Sequence, residues 1–143
     1  MKIIYGRLID AVSEAPIEDG MLAVEGEEIA YAGPRGGFPV PEGANIREIE
    51  NGTILPGFID AHAHLSVGES VHKSGETPYD LLLTAVRDLS DLVDAGFTGV
   101  RDMSAFGRPL RDAIKKGNVK GPRIMVGGKV LSISSGHCDY DPS

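Results

Sequence analysis

The sequence predicts an α/β fold in two parts: short strands joined by turns over residues 1–55, then strands alternating with helices over residues 56–143. Three observations carry this. Small apolar runs separated by glycine, proline and acidic turns fill the first part. After Pro56 the pattern becomes strand, helix, strand, helix, strand, and the helical stretches carry their own start and stop residues. Alternation at this pitch implies βαβ units with parallel strands.

Taken in order, Ile3–Tyr5 and Leu8–Ile9 are apolar runs around Gly6. Met21–Val24 and Ile29–Ala32 flank Glu25-Gly26-Glu27-Glu28, which has the length and glycine content of a hairpin loop, so a β-meander is expected. Gly33 to Gly43 is crowded with glycine and proline and reads as loop, and Ile46–Ile49 resumes a strand. Phe58–His64 opens the second part as a strand. Thr77-Pro78-Tyr79-Asp80 offers an N-cap threonine, a proline at the first helical position and an acid in the first turn. Leu81, Leu82, Ala85, Val86, Leu89, Leu92 and Val93 follow at helical spacing, and Gly96 stops a helix of about 18 residues with one buried face. Thr98–Asp102 is a second strand, Pro109–Lys116 a short helix closed by Gly117, and Arg123–Val126 a third strand. Three parallel strands leave unpaired edges, and a closed eight-stranded α/β barrel takes about 250 residues. The chain is therefore expected to be the front part of a longer protein.

Composition narrows the partners. With 21 acidic against 14 basic residues the net charge is -7, which argues against a nucleic-acid surface or an anionic membrane. No apolar stretch has the length to span a bilayer and the N-terminus lacks the apolar core of a signal peptide, so a cytoplasmic protein is expected. The single cysteine, Cys138, excludes an internal disulfide framework.

Two of the four histidines, His62 and His64, lie one residue apart at the end of an apolar run. Strand alternation puts Phe58, Asp60, His62 and His64 on one face and Ile59, Ala61, Ala63 and Leu65 on the other, the small apolar set suiting helices. Same-face residues two apart lie about 6.5–7 Å apart along a strand. Two imidazoles so placed can converge on one ion at about 2.0–2.1 Å. The bare His-x-His spacing equally fits a pair of exposed or packed histidines with no ion.

Thr53-Ile54-Leu55-Pro56-Gly57-Phe58-Ile59-Asp60-Ala61-His62-Ala63-His64-Leu65 closely resembles the first barrel strand of the amidohydrolase superfamily, with its Pro-Gly-x-Ile-Asp-x-His-x-His pattern. Gly6-Arg7-Leu8-Ile9-Asp10, Ile17-Glu18-Asp19-Gly20 and Val24-Glu25-Gly26-Glu27-Glu28-Ile29 resemble the small β-domain that precedes the barrel in many of these enzymes. Gly96-Phe97-Thr98-Gly99-Val100-Arg101-Asp102 resembles their second strand and Gly121-Pro122-Arg123-Ile124 opens what looks like the third. Val-Arg-Asp, Gly-Pro-Arg and Ser134-Ser135-Gly136-His137 are most similar to the imidazolonepropionase and Xaa-Pro dipeptidase-like branch.

The resemblance implies the N-terminal part of a (β/α)8 TIM-type barrel, its first three strands within 56–143. Residues 1–55 would be a small β-sandwich-like domain, part of a composite urease-like β-domain. It implies a metal-dependent hydrolase of an amide or other C–N bond in a cyclic amide, N-acyl or dipeptide substrate. The cofactor is a divalent metal, Zn²⁺ first among candidates, as one or two ions. His62 and His64 are the metal ligands supplied by this chain. The other ligands and the catalytic aspartate come from later strands in relatives, so this chain holds no catalytic residue of its own and is expected to bind metal weakly and to be inactive alone. Asp60 either supports a ligand histidine or is a carboxylate satisfied by backbone or a barrel cation. His137 is the substrate-binding candidate, in a loop where Ser135 replaces the first glycine of the relatives' Gly-Gly-His.

Arg101 and Asp102 are expected to be an ion pair or loop anchor, and His72, in the loop after the first strand, a solvated histidine. Cys138 beside His137 invites a nucleophile reading that no surrounding motif supports. The implied partner is a small-molecule substrate, with no nucleic acid and no membrane, and any homo-oligomer forms through the intact parent. Two alternatives stay open: a hydantoinase or dihydropyrimidinase-like cyclic amidase, and a non-catalytic split chain acting as a structural partner.

Overall fold

The computed structural model describes residues 1–65, 77–104, 106–128, 131, 133, 134 and 136. The chain forms two compact units, Met1–Pro56 and Gly57–Ser143. No helix among the described residues is long and apolar enough to cross a membrane.

The first unit is a four-stranded sheet built from β1 (Lys2–Leu8), β2 (Ile17–Glu25), β3 (Glu28–Pro34) and β4 (Asn45–Ile54), in the order β3-β2-β1-β4. The two apolar runs around Gly6 merge into β1, whose pairing with β2 slips between Gly6 and Leu8. Gly26 takes a φ of 60° in the β2–β3 turn, a left-handed conformation that costs glycine little.

The expected meander holds for β1 to β3 only. β4 returns across the sheet to pair in parallel with β1, Ile3 opposite Ile46 and Tyr5 opposite Glu48. A parallel neighbour needs a crossover, and the breaker-rich segment after β3 supplies it. That segment also covers the sheet: Phe38 and Ala44 pack against the buried cluster of Ile3, Met21 and Ala23. The rings of Tyr31 and Phe38 stack 5.7 Å apart at 27°. Gly37 is required there, because a Cβ would run into the Tyr31 hydroxyl, which donates to the Pro34 carbonyl at 3.0 Å. Arg35 lies 3.8 Å above the Tyr5 ring and pairs with Asp19 and Glu48. Among the described residues of this unit there is one sheet, not the two facing layers of a sandwich.

The second unit is mixed α/β: a parallel sheet of β5 (Phe58–Ala63), β6 (Phe97–Asp102) and β7 (Arg123–Val126), in chain order, with α1 (Pro78–Asp94) and α2 (Gly107–Lys115) as crossovers. The helix-side core is Leu65, Ala85, Leu89, Val100, Leu110 and Ile124. α1 starts on a capping box in which the Thr77 hydroxyl accepts from the Asp80 N–H at 3.3 Å and the Asp80 carboxylate accepts from the Thr77 N–H at 2.8 Å. It stops at Gly96, whose φ of 92° the chain needs in order to turn into β6. α2 closes on a Schellman pattern, Asn118 N–H to the Ala113 carbonyl and Gly117 N–H to the Ile114 carbonyl. Its start lies two residues earlier than expected, because Pro109 fits a first turn where no N–H partner is needed.

Simple alternation fails along β5. Phe58 pairs with Phe97, Ile59 with Gly99, Asp60 with Val100 and Ala63 with Asp102, so the register shifts after Phe58 and again after Asp60. Asp60 thus stands beside Val100 of the helix-side core, whereas Ile59 lines a groove with Thr98, Gly99, Arg123 and Met125 and is 66% exposed. Beyond the second shift the parity reverses, and Ala63 and Leu65 pack toward the helices. The expected partition, with Asp60 beside the histidines and Ile59 under the helices, is therefore corrected. An irregularity of this kind re-aims the side chains that follow it.

Candidate metal centre

His62 and His64 occupy the C-terminal end of β5, where the strand gives way to the next segment. Both are exposed, on the side opposite Leu65. Their ring centroids are 5.1 Å apart and the two Nε2 atoms stand 3.2 Å from each other. Two nitrogens at that separation can each lie about 2.0–2.1 Å from one point between them, subtending an angle of about 100°, close to tetrahedral. The pair thus fits two corners of a divalent ion's coordination shell, and neutral imidazole is an appropriate donor for zinc-like ions. No third histidine, cysteine or carboxylate joins them among the described residues.

The backbone around the pair is held by two carboxylates. Asp60 Oδ1 accepts from the His62 N–H at 2.9 Å, a local side-chain bond that competes with the ladder and accompanies the register shift. Asp60 therefore meets the backbone of a candidate ligand. Asp102, fully buried at the end of β6, accepts from the Leu65 N–H at 3.1 Å and the Ser104 N–H at 3.1 Å through Oδ1, and from the Ser104 hydroxyl at 2.8 Å through Oδ2. Of the ion pair or loop anchor expected for Arg101 and Asp102, Asp102 is the anchor. No cationic side chain pairs with it among the described residues, and Arg101 is exposed. Ser104 and Gly107 were not singled out in the sequence. The Asp-x-Ser spacing directly after a strand was the available signal, since such side chains fold back on nearby N–H groups. A Cβ on Gly107 would meet Asp102 Oδ2, so a larger residue at the start of the helix would have to displace that carboxylate.

His137, the substrate-binding candidate, lies outside the described residues, as do His72 and Cys138.

Residues 53–143, well over half of the chain, match the model of the amidohydrolase family. Ochratoxinase from Aspergillus niger is 25% identical over 143 residues, covering 96% of this chain and 30% of that protein. Imidazolonepropionase from Caulobacter vibrioides is 28% identical over 127 residues, covering 69% of this chain and 32% of that protein. Among solved structures, a Xaa-Pro dipeptidase with bound methionine in the active site superposes with a TM-score of 0.81 at 26% identity, covering 96% of this chain and 36% of that one. The chain spans about a third of the length of the relatives it matches. With the family model matching well over half of its length, the chain belongs to the amidohydrolase family.

Proposed function

We propose that this chain is the N-terminal part of a metal-dependent hydrolase that cleaves an amide or other C–N bond in a small molecule. β5, β6 and β7 would be the first three strands of a (β/α)8 barrel, and residues 1–55 part of the β-domain that precedes it. The observation that carries the reading is the 3.2 Å separation of His62 Nε2 and His64 Nε2 at the C-terminal end of a parallel strand, where α/β barrels build their active sites. The relatives named imidazolonepropionase and Xaa-Pro dipeptidase support a cyclic amide or a prolyl dipeptide as the substrate class.

His62 and His64 would hold the ion, Zn²⁺ before other divalent metals, through their Nε2 atoms. When bound, such an ion supplies an activated water at neutral pH and polarises the scissile carbonyl. The chain's own contribution is positional. Asp60 and Asp102 hold the backbone on either side of the two imidazoles, so the donors are aimed before an ion arrives. Asp60 acts on His62 through its N–H.

The test is metal analysis of the purified product of the complete open reading frame, beside His62→Ala and His64→Ala. The expected result is about one or two equivalents of metal in the wild type and loss of most of it in each variant. Unchanged metal content in both variants would remove the ligand assignment. Product analysis on cyclic amides, N-acyl amino acids and prolyl dipeptides then identifies the substrate class, and no turnover of any of them by metal-loaded protein would count against the hydrolase reading.

A further inference from the structure

His64 hangs between two backbone points fixed by the neighbouring strand. The carbonyl of Ala63 accepts from the Met103 N–H at 2.8 Å, and the N–H of Leu65 donates to Asp102 Oδ1 at 3.1 Å. The peptide groups on both sides of His64 are thus pinned by residues 102–103. Asp102 is itself immobilised: it is fully buried, held by the Ser104 N–H and hydroxyl, and its own carbonyl accepts from the Gly127 N–H at 2.8 Å. A Cβ on Gly107 would run into Asp102 Oδ2, so the glycine leaves the carboxylate its place.

We infer that Asp102 is a positioning residue for the metal centre, setting the direction of the His64 imidazole through the Leu65 N–H and never touching the ion. The inference rests on His62 and His64 being ligands. A carboxylate acting through the peptide fixes the backbone from which the ring projects. Its expected signature is metal affinity that falls further than fold stability does.

The experiment uses the complete open-reading-frame product and Zn²⁺ alone, titrated against a chelator, with melting temperature followed in EDTA and the visible absorption of the Co²⁺-loaded protein recorded. Asp102→Ala is expected to weaken Zn²⁺ binding about 10–100-fold and to alter the Co²⁺ band. Asp102→Asn keeps an oxygen for the Leu65 N–H and is expected to restore affinity to within about threefold of wild type. Leu110→Ala, in the helix-side core, is expected to lower the melting temperature without changing affinity. Should Asp102→Ala not fold, Gly107→Ala displaces the carboxylate instead of deleting it and is expected to weaken binding about tenfold. Affinity within about threefold of wild type in the folded carboxylate-perturbing variants, or an equal loss in Leu110→Ala, overturns the inference while leaving the ligands intact. Wild-type protein that binds no Zn²⁺ overturns both the inference and the hydrolase reading.

Discussion

Asp60 spends one carboxylate oxygen on the N–H of His62, and that single bond accompanies the change of face that separates Ile59 from Ala63. Because Asp60 is only partly buried, water can take over some of its work when it is removed. Asp60→Ala is therefore expected to weaken Zn²⁺ retention in the complete protein by less than Asp102→Ala does, about threefold to tenfold, with Asp60→Asn close to wild type in a chelator titration. A loss as large as that of Asp102→Ala would mean that Asp60 does more than hold a backbone N–H. The His-x-His spacing itself was legible in the sequence. So was its place opposite Ala63 and Leu65; the places of Asp60 and Ile59 were not, because an i to i+2 rule has no knowledge of a slip between paired strands.

At the scale of elements, α1 begins where threonine, proline and aspartate are spaced for it, and local chemistry decides this start. Thr77→Ala removes the acceptor for the Asp80 N–H and is expected to lower stability by about 1 kcal/mol in urea unfolding. The same box carries a pH dependence. The Thr77 hydroxyl, then its N–H, hydrogen-bond the Asp80 carboxylate and hold its pKa below the ordinary 3.8. A carboxyl depressed in the folded state contributes stability that is fully present above the unfolded value and is lost as pH falls through the folded one. The stability gap between wild type and Thr77→Ala should thus stay constant down to about pH 4 and narrow below it. A gap that does not change across that range would show the carboxylate bond to be idle. β4 is the contrasting element. Ile46–Ile49 marks a strand, but its parallel partner β1 lies more than forty residues earlier, and nothing local to residues 45–54 distinguishes it from a fourth meander strand.

On the scale of the whole molecule, each unit has its own core, and in the second the helices cover one face of β5–β6–β7. On the other face Ile59 and Met125 remain 66% and 50% exposed. Parallel sheets are ordinarily covered on both faces, so this face is suited to further structure. The 143-residue chain by itself is expected to bind a hydrophobic fluorescent dye more strongly than the complete open-reading-frame product, and to associate with increasing concentration in light scattering. Equal dye binding by both proteins would show that this face is not covered in the longer one.

The sequence by itself determined the elements and the chemistry available to them: the capped helix at Thr77, the glycine stops at Gly96 and Gly117, the break near Pro56 and the two imidazoles two residues apart. These depend on neighbours within a turn of helix or a few residues of strand, so they can be read from adjacent letters. Only the tertiary structure decided on which face of β5 Asp60 and Ile59 lie, that β4 returns to β1, and that Asp102 holds the peptide beside His64 across 37 residues of chain. Each of those depends on which strand lies alongside and in what register, and register is settled by the packing of the whole sheet.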